Sequence, residues 1–408
     1  EYSKISIDQI TKITVNKRPL SNIYYKALHF SKNSSKKNVS KMKKAVNFNQ
    51  RLNTDFIKYF NKDIKTKILN VDHHICHLLI SYFSSNYKHS NLLSIDGFGD
   101  FASIYYAIFK NNKLSIKKKT IFPNSLGIFY QAITQLLGFK DYGDEYKVMG
   151  MSAYGKNYIS LFDKIISFDR KNFVNLNLEY FNFLNKDILK SGNNHSPEIP
   201  NLFSKKLEKQ LIKQRKENEN IKNIHFDIAF SLQLKYEEII LKIVNEIKDD
   251  QISNNLCLSG GCANNSLANG KILKFFKNLN ISYASGDNGG AIGSVLYYLY
   301  KKKYRVDRKS ISSPYLGFKH SDAKIEELID KSKFNLKFYK SDEDLLNKIA
   351  SCLKKNQVVS ICRGRSEFGP RALGNRSILA NPSRKNIRDI LNEKIKQREK
   401  FRPFAPSV

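Results

Sequence analysis

Apolar residues recur along this chain in short runs that glycine-rich turns separate. Residues 91–119 alternate between apolar and polar positions and contain a glycine-rich turn and a hairpin turn, so they predict neighbouring β-strands. The apolar runs 71–85 and 125–139 have the length and density of buried helices. Strands flanked by buried helices predict an α/β fold.

The pattern changes after this region. Residues 156–225 are polar, rich in Lys and Asn and weakly periodic, and this is more typical of an insertion than of a core. A helix is predicted at 226–248, followed by two similar strand–glycine loop–helix units at 254–276 and 279–300. Beyond residue 316 the pattern starts again with helix, strand, helix and strand, at 322–331, 334–339, 343–355 and 357–364.

Length and composition fit a folded protein of two domains. The chain has 408 residues, of which 41% are hydrophobic, and a chain of this length exceeds a single typical core. We expect domains at 1–305 and 317–408, joined by a charged, Ser- and Pro-containing linker at 306–316. No uninterrupted run of about 18 apolar residues is present, and five cysteines without C-x-x-C spacing indicate free thiols. A soluble, cytoplasmic protein is the expectation.

The net charge of +33 divides into two parts. The 56 lysines are scattered and indicate a solvated surface, whereas eight of the 14 arginines fall within forty residues. These arginines are interleaved with Gly364, Gly369, Pro370 and Gly374. A constrained loop of this kind favours a small dianion such as a phosphate ester, because guanidinium groups bind phosphate in a bidentate geometry. A solvated basic face is the alternative.

The segment VDHHICH contains three histidines. On a helix, His73 and His77 share a face and could bind one divalent ion together with Asp96 and Asp287, which follow predicted strands. Two imidazoles and two carboxylates suit iron, manganese or zinc. Histidines at this spacing also occur as ordinary hydrogen-bonded side chains, and His74 is expected to be a core or outer histidine of this kind.

Two glycine loops and a charged segment complete the candidate chemistry. The loop SGGCANN (259–265) opens a helix and, with SGDNGGAIG (285–293), could close over a nucleotide, although a tight turn explains it equally well. The segment GDEYKVMGMSAYG (143–155) could contact substrate or be an exposed turn.

Together these motifs resemble a known family. The ordered set HHxxH, DGxGD, DEYKVMGMSAYG, SGGCANN, SGDNGGAIG, GRxEFGPRALGNRSILA and NEKIKxREKFRPFAPSV closely resembles the O-carbamoyltransferases of antibiotic and nodulation-factor biosynthesis, the NodU/CmcH type. The resemblance covers roughly residues 70–155 and 226–408.

The resemblance implies an actin/sugar-kinase-like first domain, similar to tRNA threonylcarbamoyl-transferase, and a YrdC-like α/β second domain. It further implies that carbamoyl phosphate and ATP form carbamoyl adenylate, whose carbamoyl group passes to a hydroxyl of a small-molecule acceptor such as a sugar, antibiotic or polyketide.

Residue roles follow from the motifs. The metal, usually iron in this family, would be held by His73, His77, Asp96 and Asp287. The nucleotide would contact Ser259, Gly260, Gly261, Asn264 and Gly289. Carbamoyl phosphate would bind Arg371, Lys396 and Arg402. The catalytic base is not identified; Asp144, Glu145 and Lys147 are the candidates.

Two departures and two alternatives accompany this prediction. Family members begin with a strand and a Gly/Ser loop that are not found here and continue beyond RPFAPSV, so the chain is expected to be an internal fragment with a truncated second domain and uncertain activity. The alternatives are a tRNA-modifying threonylcarbamoyl-type transferase and a non-catalytic nucleotide- or nucleic-acid-binding protein. We expect neither membrane nor nucleic acid as a partner, and a homodimer is left open.

Overall fold

The structure, a computed structural model, describes most of the chain. The described residues are 5–32, 48–184, 190–191, 197–249, 252–330 and 337–404. The chain divides into two compact units, Glu1–Ser312 and Ser313–Val408. This division falls inside the predicted linker 306–316, and the short helix Arg308–Ser312 belongs to the first unit.

The first unit contains most of the described helices and strands. Its strands are β1 (Ile13–Val15), β2 (Ile68–Asn70), β3 (Ser90–Gly99), β4 (Ala102–Lys110), β5 (Lys113–Ile121), β6 (Ile166–Asp169), β7 (Phe173–Leu176), β8 (Lys190–Ser191), β9 (Pro197–Glu198), β10 (Asn255–Ser259) and β11 (Asn278–Ile281). Its helices are α1 (Ile23–Lys32), α2 (Phe48–Phe60), α3 (His73–Phe83), α4 (Leu126–Leu136), α5 (Glu145–Met151), α6 (Lys205–Gln210), α7 (Asn223–Asp249), α8 (Ser266–Ile272), α9 (Gly290–Lys301) and α10 (Arg308–Ser312).

A five-stranded mixed sheet with the order β11–β10–β3–β4–β5 organises the first unit. Strands β11, β10 and β3 are parallel, whereas β4 and β5 extend the sheet antiparallel. Two tight turns make this extension, because Asp100-Phe101 and Asn111-Asn112 have positive φ at both central positions. The first six residues of β3 are all buried, so the centre of the sheet is covered on both faces.

One layer of the core joins α3 and α9 to the sheet. Buried side chains of α3, the central strands and α9 form a single apolar cluster that includes Leu79, Leu92, Phe109, Cys257 and Leu296. This packing fixes the start of α3 and the start of α9 at the ends of the parallel strands. The thiols of all five cysteines are free.

Most predicted elements of the first unit are confirmed. The strands expected within 91–119 are β3–β5, and the helices expected at 71–85, 125–139 and 226–248 are α3, α4 and α7. Both strand–glycine loop–helix units are present, as β10 with α8 and β11 with α9. The α/β class is confirmed, and the finer actin/sugar-kinase-like assignment stays a prediction.

The described residues of the segment 156–225 form regular elements and bury apolar side chains, although the composition of the segment is polar. Strands β6 and β7 pair as a hairpin, and Phe162, Phe183, Leu202 and Leu207 are buried. The described part of this segment therefore has buried apolar side chains of its own, and its being an insertion stays a prediction. Its elements are short, so their apolar positions never build up a recognisable period.

The second unit is smaller. It contains helices α11 (Asp322–Asp330), α12 (Asp342–Lys354) and α13 (Ile387–Asp389), a π-helical segment (Ile390–Ile395), and strands β12 (Val359–Cys362) and β13 (Arg376–Leu379), which pair antiparallel. The predicted helices and the strand at 357–364 are confirmed. Of the strand predicted at 334–339, residues 334–336 lie outside the described residues and 337–339 are not in a strand.

Across the part of the chain that the structure describes, no helix combines the length and apolar character needed to cross a membrane.

Candidate metal and nucleotide site

The start of helix α3 carries two histidines on one face. The Asp72 carboxylate caps the helix by accepting a hydrogen bond from the Ile75 amide at 3.2 Å. One turn separates His73 from His77, and their Nε2 atoms lie 3.0 Å apart. His77 is fully buried and His73 nearly so. The helix thus presents two imidazole nitrogens at a single point.

Two carboxylates complete the cluster. Asp96, near the end of β3, places Oδ2 at 3.1 Å from His73 Nε2 and 3.0 Å from His77 Nε2. Asp287, in the loop before α9, places Oδ1 at 3.4 and 3.5 Å from the same nitrogens. One donor atom from each of the four residues lies within 4.8 Å of the others. The structure therefore brings together the four side chains expected to hold a metal.

The donor spacing fits a divalent metal ion. Bonds of about 2.1 Å place neighbouring ligand atoms roughly 3.0 Å apart at a right angle and roughly 3.4 Å apart in a tetrahedron. The observed separations of 3.0 to 3.5 Å cover this range. A mixed set of imidazoles and carboxylates is compatible with iron, manganese and zinc.

The charges of the cluster are strongly coupled. Burial alone would raise the pKa of Asp96, but hydrogen bonds from His73 and His77 hold this pKa well below its usual value. Burial would also lower the pKa of His77, yet hydrogen bonds to Asp287 and Asp96 raise it to about 9. A proton and a metal ion therefore compete for the same nitrogen.

The glycines of DGFGD allow the close approach of helix and strand. A Cβ on Gly99 would lie 1.9 Å from His73 Cδ2, so any side chain there would displace the imidazole. The Asp100 carboxylate, just after the strand, accepts a hydrogen bond from the His73 amide at 2.9 Å. The turn between β3 and β4 thus fixes the first residue of α3 from two sides.

Asp96 connects the cluster to the first glycine loop. Its Oδ1 accepts hydrogen bonds from the Gly97 amide at 2.8 Å and the Gly261 amide at 3.2 Å, while Oδ2 faces the histidines. Gly260 has φ +86°, and a Cβ there would lie 2.1 Å from the Ile95 carbonyl oxygen. Glycine at this position lets the loop follow the backbone of β3.

The two glycine loops lie side by side, as their sequences suggest. The Gly260 amide donates to the Ser285 carbonyl at 2.8 Å, and the Ser285 hydroxyl donates to Asn264 Oδ1 at 3.4 Å. The side chain of Asn265 caps α8 and exchanges two hydrogen bonds of 2.9 Å with Gln233 of α7. The two loops are therefore held by hydrogen bonds to each other, and the first loop is also held by hydrogen bonds to helix α7.

All five expected nucleotide residues make internal hydrogen bonds, including Asn264, whose Nδ2 donates to the Gly261 carbonyl at 3.1 Å. The Ser259 hydroxyl donates to Leu93, the amides of Gly260 and Gly261 donate to Ser285 and Asp96, and the Gly289 amide donates to Gly286. These groups shape the loops, so a phosphate cradle of free amides at these positions is not what the geometry favours. Asn264 is exposed, and its amide group lies at the junction of the loops.

The three candidate catalytic residues have different surroundings. Asp144 and Lys147 form an ion pair, with Lys147 Nζ 2.7 Å from Asp144 Oδ1. Glu145 begins helix α5, and its burial raises the pKa of the carboxyl to about 7. Asp144 and Asp96 lie close enough to Glu145 to add to this rise. Glu145 is therefore the candidate whose protonation changes near neutral pH.

Tyr142 is a site residue that the sequence did not single out. Its hydroxyl donates to Asp287 Oδ2 at 3.3 Å. Burial and the Asp287 carboxylate raise the pKa of Tyr142 above its usual range, so the hydroxyl keeps its proton. In the sequence, the signal that could have drawn attention to Tyr142 is its position between Gly138 and Gly143. In the structure, both glycines have positive φ.

His74 is a core histidine, as expected. It is fully buried, its Nε2 lies 3.0 Å from the Ala102 carbonyl oxygen and its Nδ1 lies 2.9 Å from the Ser94 hydroxyl. Its ring stacks on Tyr105. Burial lowers the pKa of His74 to about 4, so the ring is neutral.

The residues expected to bind carbamoyl phosphate are all in the second unit. Arg371 is exposed in the loop between β12 and β13, and Lys396 is exposed directly after the π-helical segment. Arg402 is mostly buried and its Nε lies 2.5 Å from Glu399 Oε2.

Two of the clustered arginines donate to backbone carbonyls of the second unit. The Arg376 guanidinium donates to the carbonyls of Arg363 and Gly364 in its own loop, and Arg365 donates to the Gly317 carbonyl near the start of the unit. Glu367 Oε1 accepts from three amides, those of Leu373, Asn375 and Arg376. Some of the clustered arginines therefore have a structural role, and fewer arginine side chains are left to bind a phosphate.

The fold and the site define an α/β protein in which a His/Asp cluster that could hold a metal ion lies beside two glycine loops. Two family models match this chain: Carbamoyltransferase N-terminus over residues 3–296 and Carbamoyltransferase C-terminus over residues 350–408. The chain belongs to the carbamoyltransferase family, and the resemblance seen in its motifs is confirmed.

Several relatives share this similarity. The uncharacterized protein sll1178 of Synechocystis sp. is 36% identical over 364 residues, which is 85% of this chain and 56% of that protein. Nodulation protein NolO of Bradyrhizobium diazoefficiens is 32% identical over 346 residues, or 83% of this chain and 58% of that protein. The chain thus spans little more than half the length of these relatives. A crystal structure of T. kodakarensis HypF matches 65% of this chain and 40% of its own chain with 16% identity and a TM-score of 0.31, too low to define a shared fold.

Proposed function

We propose that this chain forms part of an ATP-dependent O-carbamoyltransferase that modifies a hydroxyl of a small molecule such as a sugar, an antibiotic or a polyketide. One observation carries the proposal: the two oxygens of Asp96 join the four-donor cluster to the glycine loop at Gly261. A nucleotide on that loop and a metal in the cluster would therefore share one site.

The cluster would hold the metal through His73, His77, Asp96 and Asp287. Iron is the expected metal from the family resemblance. When bound, a divalent ion supplies a Lewis acid that polarises a carbonyl or neutralises a phosphate.

The nucleotide would lie over the junction of the two loops. Asn264 is the exposed polar side chain there, and Gly261 is exposed beside it. The amides of Gly260 and Gly289 bond to the carbonyls of Ser285 and Gly286, so they hold the backbone of the loops in place beneath a ligand.

The proposed reaction has three steps. Hydrolysis of carbamoyl phosphate gives carbamate and phosphate. A carbamate oxygen then attacks the α-phosphorus of ATP and displaces pyrophosphate, giving carbamoyl adenylate. The acceptor hydroxyl attacks the carbamoyl carbon, loses its proton and displaces AMP.

Glu145 is our candidate for the base that removes the acceptor proton. Its carboxyl titrates near pH 7, the range in which a general base is most effective. The neighbouring Asp144 is less suited, because its carboxylate is paired with Lys147 at 2.7 Å.

Carbamoyl phosphate would bind in the second unit. A guanidinium group from Arg371 or Arg402 would hold the phosphate, and Lys396 would add a point charge. Of these three, Arg371 and Lys396 are exposed to an incoming ligand.

Two single variants test whether carbamoyl phosphate binds in the second unit and the metal binds in the first. The metal-loaded protein is incubated with carbamoyl phosphate and β,γ-labelled ATP, and labelled pyrophosphate is counted. We expect release that depends on carbamoyl phosphate. Arg371→Ala should abolish it with metal content unchanged, whereas His73→Ala should lower the metal content measured by elemental analysis.

Arg170→Ala serves as the matched control for the loss of an exposed arginine and should leave both readouts unchanged. Absence of pyrophosphate release by folded, metal-loaded protein would refute adenylate formation by this chain. Full metal content in His73→Ala would refute the metal site.

A further inference from the structure

The two carboxylates of the metal cluster are held in very different ways. The outer oxygen of Asp96 accepts from two backbone amides, that of Gly97 in β3 and that of Gly261 in the turn after β10. The side chain of Asp287 is 51% exposed and begins a three-residue turn. Within the described residues, the Tyr142 hydroxyl is the one hydrogen-bond donor to Asp287 Oδ2.

The bond to Tyr142 leaves the inner oxygen of Asp287 free to face the histidines. Oδ1 lies 3.4 Å from His73 Nε2 and 3.5 Å from His77 Nε2, while Oδ2 receives the tyrosine at 3.3 Å. One oxygen of Asp287 thus faces the histidines, and the other accepts a hydrogen bond from outside the cluster. Hydrogen bonds of this kind orient carboxylate ligands in metal sites.

The loop that carries Tyr142 is anchored at its base. Arg215 is buried, and its Nε donates to the Leu137 carbonyl at 2.7 Å at the end of α4. A Cβ on Gly138 would lie 2.8 Å from Arg215, so the loop leaves the helix in close contact with this side chain. At the tip of this loop, the Tyr142 hydroxyl reaches Asp287.

We propose that Tyr142 is a positioning residue of the metal centre, which fixes the Asp287 carboxylate through its hydroxyl so that Oδ1 points at the histidines. The inference rests on the metal centre of the proposed function. It assigns the loop 137–144 to the metal site and predicts an effect on metal affinity that does not depend on turnover.

The test uses Co²⁺ alone with the metal-stripped chain, at one fixed pH. Binding is measured by competition with a chelator, and the visible d–d spectrum reports the ligand geometry. Tyr142→Phe keeps the ring and removes the hydroxyl, and we expect Co²⁺ affinity to fall about 10-fold with a changed spectrum. Tyr158→Phe, at another half-exposed tyrosine, is the matched control and should bind as the unmodified chain does.

A double-variant cycle shows whether the effect passes through Asp287. If it does, Tyr142→Phe should weaken Co²⁺ binding in the original chain but cause no further loss in an Asp287→Ala background. Unchanged affinity and spectrum in Tyr142→Phe, or an equal loss in both backgrounds, would overturn the inference. Failure of the unmodified chain to bind Co²⁺ would instead overturn the metal centre itself.

Discussion

The carboxyl of Glu145 and the ion pair beside it have different surroundings. Lys147 Nζ lies 2.7 Å from Asp144 Oδ1, so the Asp144 carboxylate has a cationic partner. Burial disfavours the charged form of Glu145 and raises its pKa to about 7. Below pH 7 the carboxyl is protonated and cannot accept a proton, and above pH 7 it is charged and can.

The rate of carbamoyl transfer should therefore rise with pH through about 7 and then level off. Glu145→Gln removes the titrating group, and we expect kcat to fall by roughly 10²- to 10⁴-fold with no remaining inflection near pH 7. The measurement is kcat from pH 5.5 to 9 with excess metal. Asp141→Asn, a nearby exposed carboxylate, should keep the original profile, and an unaltered inflection in Glu145→Gln would exclude this base.

The clustering of the four candidate metal ligands could be predicted from their residue types and spacing, but the contact of Tyr142 with them could not. Histidines one helical turn apart and aspartates after strands have recognisable spacing in the sequence, and the structure brings all four together. Tyr142 is 145 positions from Asp287, and its hydrogen bond depends on how the loop leaves α4. The pairing of Arg402 with Glu399 was likewise not apparent from the motif.

At the scale of elements, the end of the 156–225 segment is bonded to the end of helix α4. Arg215 donates to the carbonyls of Leu137, Lys216, Glu217 and Glu219, and its amide donates to Leu136. One buried cation thus joins the end of α4 to the segment before α7. This contact gives the segment a structural role that its polar composition does not reveal.

Loss of Arg215 should destabilise the first unit. Arg215→Ala removes a buried cation and leaves the buried Leu137 carbonyl and three partly buried carbonyls without their donor, so we expect the free energy of unfolding to fall by about 2–4 kcal/mol. Urea unfolding followed by circular dichroism measures the change. Arg170→Ala, an exposed arginine in the same segment, should stay within about 0.5 kcal/mol, and an equally small effect at Arg215 would contradict the anchoring role.

Elements with long, regular patterns were the predictable ones. Strands β3 to β5 and helix α7 follow clear alternation or helical periodicity, so their types and approximate bounds are correct. The buried side chains Phe162, Phe183 and Leu202 belong to short turns and bridges, whose packing depends on contacts distant in sequence. Periodicity cannot report such contacts.

At the scale of the whole molecule, the charge of +33 does not by itself define a partner. Lysines supply 56 of the 70 positive side chains and are spread over both units, whereas the arginines concentrate in the second unit. Arg365 and Arg376 of this group donate to backbone carbonyls of the second unit, those of Gly317 and Arg363. A continuous basic groove for RNA is not what this distribution favours.

Binding to tRNA should accordingly be weak and nonspecific. We expect a Kd in the range of about 10⁻⁴ to 10⁻⁶ M at physiological salt, weakening steeply as salt rises. Fluorescence anisotropy with labelled tRNA measures this, and heparin of similar charge is the control competitor. Submicromolar binding that heparin does not displace would favour the tRNA-modifying alternative.

The ligands of the candidate metal centre are far apart in the chain, and this has a consequence for folding. His73 and Asp287 are separated by 287 − 73 = 214 positions. An ion bound by both would act as a cross-link that closes a very long loop, and such closure lowers the entropy of the unfolded chain. The same four side chains would then govern both the reaction and the cohesion of the first unit, so a substitution that weakens one would weaken the other.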